Sequence, residues 1–207
     1  MQLLSHAGFP VLIFDFRAHG DSDGTETTIG FKESRDVKAA YDWLRQRTGA
    51  DRINAIGYSL GGAALLHAEQ QYRLFDKIVV DSTFGRLERV ALRSMFHSEG
   101  ALARFFFRLG SFWARLITGV DFASYENESA AAALDPNSVF FIHGLADNLI
   151  PPEETRALLG ATKNQARHWF IPAMGHIQGI GHPGHGSIIA EFLKSPKEPK
   201  EPKEPKE

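Results

Sequence analysis

The chain has 207 residues, 43% hydrophobic side chains and a formal net charge of −2 at pH 7. This length and composition allow one sizeable core and fit a single domain better than two. The near-neutral charge gives no broad basic field for nucleic acid and does not identify a partner, and we expect no nucleic-acid partner. The absence of cysteine excludes disulfides, thiolate nucleophiles and cysteine-ligated zinc.

The sequence predicts neither a signal peptide nor a membrane span. Residues 1–9 lack a basic start and are interrupted by polar Ser5 and His6, so we expect a cytoplasmic protein. The most apolar later stretch, residues 105–120, contains Arg108 and Arg115 and is too short to cross a bilayer. A buried or interfacial helix is the better interpretation of that stretch.

Strand and helix patterns alternate along the chain. Residues 11–16 form a short apolar run that enters a Gly- and Asp-rich loop, which is typical of a buried strand. Alternation of this kind predicts an α/β fold with a doubly wound, mostly parallel sheet. The strand candidates are residues 11–16, 52–56, 77–81, 139–143 and 168–171, and the helix candidates are residues 29–48, 60–71, 152–159 and 187–193.

An aromatic insertion, residues 84–137, separates the third and fourth strand candidates and is predicted to be a helical lid. Rings in such a segment usually pack onto the body, and an apolar wall for the substrate is the alternative. The repeated Pro-Lys-Glu of residues 194–207 predicts a disordered tail after a domain of residues 1–193. The rings of the insertion are Phe96, Phe105, Phe106, Phe107, Phe112 and Trp113.

Ser59 lies in the sequence Gly57-Tyr-Ser-Leu-Gly61, between a strand candidate and a helix candidate. This is the setting of a nucleophile elbow, in which a strained turn exposes the serine hydroxyl. Small residues at Gly57 and Gly61 are expected to let the strand and the helix approach closely. Ser59 is therefore predicted to be a nucleophile, and an incidental serine in a glycine-rich turn is the alternative.

A serine hydroxyl needs a base to take its proton and a carboxylate to orient that base. The chain order Ser, Asp, His points to Asp147, in the loop after residues 139–143, and to His176, after the last strand candidate. We predict Asp147 as the acid and His176 as the base. Asp81, at the end of the third strand candidate, is the alternative acid.

The other histidines suggest a different kind of site. His176, His182 and His185 are close enough in sequence to suggest a zinc site with an open position. Zinc would leave the Ser59 elbow unexplained, so we predict no metal and no cofactor, and His182 and His185 are expected to be exposed loop residues. His19 and His143 are expected to make structural hydrogen bonds beneath the site.

The sequence resembles the α/β-hydrolase family, in its serine-aminopeptidase-like branch, over nearly all of residues 3–193. Besides the elbow, residues 14–22 resemble the family's D-x-R-G-x-G-x-S segment, with Ala18 at a glycine position, and residues 142–147 resemble its I-H-G-x-x-D acid loop. Because this fold and triad serve many acyl substrates, the resemblance implies a hydrolase, with a small carboxylic ester as the expected substrate. Acyltransfer, peptidase activity and a binding protein without turnover are the alternatives.

The resemblance also implies two N–H donors for the oxyanion. The backbone N–H of Leu60 is the first, whereas in relatives the second comes from a His-Gly-rich loop before the helix in which this chain begins. We therefore expect the second donor to be absent, Met1 to be an internal methionine, and a central strand between residues 11–16 and 52–56 to be missing. Such an N-terminally truncated chain is expected to have impaired catalysis. Oligomeric state is not predicted.

Overall fold

A four-stranded parallel sheet lies at the centre of the computed structural model, which describes residues 2–97 and 99–196. The strands follow each other across the sheet in chain order, and each pairs in parallel with the next. This arrangement confirms the predicted α/β class. The strands are β1 (Ala55–Tyr58), β2 (Ile78–Asp81), β3 (Val139–Gly144) and β4 (Arg167–Ile171).

Helices cover both faces of the sheet. Because side chains alternate along a strand, Val80 and Phe141 face one cluster of buried residues, while Val79 and Phe140 face another. Burial on both faces explains why β2 and β3 are almost continuous apolar runs, whereas β4, at the edge of the sheet, begins with exposed Arg167 and His168. The helices are α1 (Gln2–His6), α2 (Ser34–Thr48), α3 (Leu60–Tyr72), α4 (Leu87–Phe96), α5 (Ala101–Thr118), α6 (Glu128–Ala132), α7 (Pro152–Ala161) and α8 (His185–Lys194).

The two layers use different helices. Residues of α2, α3, α6 and α7 pack on the face that carries Val80 and Phe141. Residues of α8 pack on the opposite face, together with Leu4 of α1 and Phe9. The sheet is therefore covered on both sides, and its strands can present polar groups only at their ends.

Helix α2 begins later than residue 29, where the apolar spacing predicted it. The buried Glu33 carboxylate accepts hydrogen bonds from the backbone N–H groups of Thr28 and Gly30, at 2.6 and 2.9 Å. Burial raises the pKa of Glu33, but the hydrogen bonds, chiefly from Thr28, outweigh burial and lower it. Residues 28–30 thus wrap around a carboxylate instead of continuing the helix.

Residues 11–16 do not form the predicted strand. Among the described residues, no backbone hydrogen bond joins residues 11–14 to another segment, and β1 lies at the edge of the sheet. Val11 and Ile13 are exposed, while Phe16 packs against the core. The prediction is wrong because an apolar, extended segment becomes a strand only when a neighbour supplies a hydrogen-bonding ladder.

The insertion, residues 84–137, is helical and contains α4, α5 and α6. Its action as a lid stays a prediction. The expected packing of its rings onto the body is wrong for four residues of α5, which are all at least half exposed: Phe105, Phe106, Phe112 and Trp113. The side chain of Phe96 lies outside the described residues. Within the described part of the chain, no helix is long and apolar enough to cross a membrane.

The C-terminal boundary of the fold is later than predicted. Lys194 is the last residue of α8 and does not belong to a tail. The buried Lys77 ammonium explains this position, because it donates hydrogen bonds to the Phe192 carbonyl and to the Ser195 hydroxyl. The predicted disorder of residues 197–207 lies outside the described residues.

Candidate active site

Ser59 forms a one-residue turn between β1 and α3. Its backbone has φ 51° and ψ −117°, a strained conformation for a residue with a side chain. The Ser59 N–H donates to the Asp81 carbonyl at 2.8 Å, and the Thr83 hydroxyl donates to the Ser59 carbonyl at 2.8 Å. The turn is therefore fixed from the end of the neighbouring strand. Leu60 follows as the first residue of α3, where N–H groups lack partners within the helix.

Close packing of the start of α3 against β1 and against the end of β2 depends on two glycines, and one of them differs from the prediction. A Cβ atom on Gly57 would collide with the backbone of Gly61, and one on Gly62 would collide with the Thr83 side chain. A Cβ atom on Gly61 would instead make only an ordinary contact of 3.6 Å with Phe16. Gly57 and Gly62, rather than Gly57 and Gly61, are thus the residues that the packing requires.

The Asp147 carboxylate is buried in the loop after β3, and N–H groups surround it. One oxygen accepts hydrogen bonds from the backbone N–H groups of Leu149 and Ile150, each at 2.9 Å. The other lies 2.8 Å from His176 Nδ1 and 3.3 Å from His143 Nε2. Burial raises the pKa of Asp147, but these donors outweigh it and hold the pKa well below its usual range.

His176 joins the carboxylate to the serine. Its Nδ1 faces Asp147 at 2.8 Å, and its Nε2 lies 3.0 Å from Ser59 Oγ. With the proton on Nδ1 donated to Asp147, the lone pair of Nε2 is directed toward the serine hydroxyl. The three predicted residues therefore lie together at the carboxyl ends of β1, β3 and β4, where sites in open parallel sheets form.

His143, the penultimate residue of β3, contacts the loop that carries Asp147. Its Nε2 lies 2.8 Å from the Ile150 carbonyl and its Nδ1 lies 2.7 Å from the Thr155 hydroxyl. A proton on Nε2 satisfies both the Ile150 carbonyl and the Asp147 carboxylate, since both are acceptors. The expected structural role beneath the site fits His143. His19 is different: it is exposed and contacts the Arg17 carbonyl at 2.8 Å.

Asp81, the alternative acid, has other partners. Ser82 Oγ donates to one of its oxygens at 2.9 Å, and His185 Nε2 lies 3.4 Å from the other. The same Ser82 hydroxyl accepts the backbone N–H of Ile177 at 3.3 Å. Asp81 is thus connected through Ser82 to Ile177, the residue after His176, and so helps to fix the loop that carries His176 (the histidine loop).

The structure separates the three histidines that suggested zinc. His185 is buried against Asp81, so its expected exposure is wrong, and half-buried His182 packs edge-on against Trp169. His176 faces Asp147 and Ser59. In residues 2–97 and 99–196, no group of three or more His, Cys, Asp or Glu side chains is arranged to hold a metal ion.

Sequence reasoning missed the residues that hold the site from the end of β2. Ser82 and Thr83 hydrogen bond to the histidine loop and to the serine turn, and Thr155 of α7 hydrogen bonds to His143. The sequence did contain a signal for Ser82 and Thr83, because they directly follow the carboxyl end of a buried strand, and the predicted site lies at that end of the sheet.

The amino-acid sequence is similar to known hydrolases. A family model described as the alpha/beta hydrolase fold matches residues 1–124. The uncharacterized protein YfhR of Escherichia coli O157:H7 is 28% identical over 192 residues, which are 91% of this chain and 60% of that protein. The lysophosphatidylserine lipase ABHD12 of Gallus gallus is 25% identical over 95% of this chain and 53% of its own length. The chain thus spans only part of these curated relatives.

The fold is similar to that of a solved esterase. The Pyrococcus furiosus esterase Pf2001 matches with a TM-score of 0.70 and 27% identity, over 93% of this chain and 73% of that chain.

The glycines of the elbow give a paired prediction on stability. Gly62→Ala should lower the free energy of unfolding by about 1–3 kcal/mol, because its methyl group overlaps Thr83. Gly61→Ala should raise it by up to about 1 kcal/mol, because alanine is the better helix former and its methyl group has room. Urea unfolding measures both, and equal effects of the two changes would contradict this account.

The low pKa of Asp147 predicts a pH-dependent contribution to stability. The ionised carboxylate stabilises the fold above pH about 4, its ordinary pKa, and this contribution is lost as the pH falls from there toward the lower folded value. Asp147→Asn should therefore be less stable than the native chain near neutral pH, and the difference should narrow below pH about 4. Urea unfolding of both proteins across this range measures it. The other low-pKa carboxyl groups, Glu33 and Asp36, cancel in the comparison, so a difference independent of pH would refute the prediction.

Proposed function

Since the chain belongs to the alpha/beta hydrolase fold family, we propose that it hydrolyses carboxylic esters with Ser59 as nucleophile, His176 as base and Asp147 as the acid that orients the base. The continuous chain of contacts from Asp147 through His176 to Ser59, at 2.8 and 3.0 Å, carries this proposal. Similarity to an esterase and to a lipase supports an acyl ester as the substrate.

In the first half of the proposed reaction, Ser59 Oγ attacks the carbonyl carbon while His176 Nε2 takes the hydroxyl proton. Asp147 stabilises the imidazolium that forms, because its ionised carboxylate accepts the Nδ1–H. The tetrahedral intermediate collapses when the bond to the alkoxide oxygen breaks, and His176 returns the proton to that oxygen. An alcohol leaves, and the acyl group remains on Ser59.

In the second half, a water molecule attacks the acyl carbon and gives its proton to His176. The bond to Ser59 Oγ breaks, the serine recovers its proton, and a carboxylic acid leaves. The backbone N–H of Leu60 is the proposed oxyanion donor in both halves, since it follows the serine at the start of α3. These steps need no metal and no cofactor.

Labelling and turnover test the assignments together. A fluorophosphonate should phosphonylate Ser59, and Ser59→Ala should abolish both labelling and hydrolysis of p-nitrophenyl acetate. Asp147→Asn should lower kcat by up to about 10⁴-fold, because the amide favours the wrong tautomer of His176.

Asp81→Asn is the matched control, because Asp81 ends the neighbouring strand and its carboxylate contacts Ser82 and His185. Its loss of turnover should be much smaller than that of Asp147→Asn. Labelling that persists in Ser59→Ala would refute the nucleophile, and a larger loss in Asp81→Asn would transfer the acid to Asp81. A chain that labels at Ser59 but hydrolyses no ester would favour a binding protein or a different acyl acceptor.

A further inference from the structure

Helix α5 (Ala101–Thr118) directs its large apolar side chains away from the protein. Its contact with the body uses small residues such as Ala103 and Ser111, which are buried, whereas Leu116 and Ile117 are 63% and 80% exposed. Because each residue advances about 100° around a helix, the exposed apolar positions span an arc of about 140°. This α5 outer face consists of Leu102, Phe105, Phe106, Leu109, Phe112, Trp113, Leu116 and Ile117.

The outer face needs apolar contact rather than hydrogen bonds. The backbone of α5 is paired within the helix, and the Gly119 N–H closes its last turn on the Arg115 carbonyl at 2.8 Å. A row of large apolar residues along more than four turns of one helix is more than the scattered apolar residues of an ordinary surface. A medium that supplies no hydrogen bonds can therefore cover this face.

The charged residues of α5 indicate which kind of apolar surface could cover the outer face. Arg104, Arg108 and Arg115 fall within about 40° of each other, about 40–80° beyond the Phe112 edge of the outer face, and α5 itself contains no Asp or Glu. Arg108 and Arg115 are 70% and 64% exposed, and each forms a long ion pair of 3.8 Å, with Glu88 and Asp121 respectively. The polar side of α5 therefore carries exposed guanidinium groups that are only loosely paired.

A second copy of the chain suits this helix less well than an anionic surface. Two outer faces in contact would give the arginines no new partner, because α5 contains no Asp or Glu. Anionic phosphate groups complement the same arginines, and exposed Trp and Phe rings are typical of helices that lie at the boundary between headgroups and acyl chains.

We propose that the α5 outer face docks onto the surface of an anionic lipid bilayer. The rings and aliphatic side chains enter the acyl boundary, and the three arginines lie at the level of the phosphates. The helix lies on the surface, since its length and its arginines do not meet the requirements for a span. This docking does not depend on the proposed hydrolysis, because it needs neither Ser59 nor its partners.

Vesicle sedimentation of the full chain tests the proposal. Phosphatidylcholine vesicles that contain phosphatidylglycerol should bind the protein more tightly than phosphatidylcholine alone, and added salt should weaken binding. Phe112→Ser combined with Trp113→Ser should lower the partition coefficient at least about tenfold, because two large apolar groups no longer enter the boundary. Trp43→Ser is the matched control, since Trp43 is 52% exposed but lies on α2, and it should bind like the native chain.

Fluorescence locates the contact. The native chain should show a blue shift of tryptophan emission when anionic vesicles are added, and Trp113→Phe should lose that shift while it still sediments with the vesicles. Circular dichroism and the unfolding transition verify that each variant is folded.

Three results would overturn the proposal: no binding of the native chain to anionic vesicles, equal binding of the Phe112→Ser/Trp113→Ser variant, or a preference for neutral vesicles. Light scattering gives a fourth. A dimer that dissociates in the double variant would assign the outer face to a second copy of the chain.

Discussion

The buried carboxylate of Asp147 fixes the geometry of the candidate site. A charge removed from water is costly unless hydrogen bonds replace its hydration, and Asp147 obtains them from its own loop, from β3 and from the loop after β4. The two backbone donors fix the path of residues 147–150, while His143 and His176 tie that path to both neighbouring segments. The orientation of His176 toward Ser59 follows from satisfying this one group.

A second carboxylate at the same end of the sheet, that of Asp81, supports the backbone beside His176 rather than the imidazole. Asp81 ends β2, between the strands that lead to the serine and to the acid, and its oxygens face Ser82 and His185. Since Ser82 also accepts the Ile177 N–H, the loop that carries His176 is held at Ile177 as well as at His176 itself, which contacts Asp147. The two carboxylates near the ends of adjacent strands thus act on different parts of this loop. Asp147 contacts the His176 imidazole, and Asp81 supports the backbone of the next residue through Ser82.

Local chemistry explains which features the sequence could predict. Ser59, Asp147 and His176 each lie within a few residues of a strand, so their positions at the carboxyl end of the sheet were predictable. Features that depend on distant partners were not. Residues 11–16 have the composition of a strand but lack a neighbour, Gly62 is restricted by Thr83 from another segment, and composition alone does not indicate which way the rings of α5 point. Ala18 is a mixed case: it occupies a glycine position of the motif and adopts the positive φ, 57°, that glycine would tolerate more easily.

The two exposed apolar segments of the chain differ in what can cover them. Residues 11–14 combine exposed Val11 and Ile13 with a backbone that, within the described residues, has no ladder partner. Lipid cannot satisfy such a backbone, so only a polypeptide with its own N–H and C=O groups can bury this segment without loss of hydrogen bonds. Helix α5 has its backbone bonds closed internally and exposes only side chains, so a hydrocarbon boundary can bury its outer face at no such cost. Two apolar segments can therefore require different partners. A segment with unpaired backbone N–H and C=O groups needs another polypeptide strand, whereas a helix with paired backbone groups can be covered by lipid.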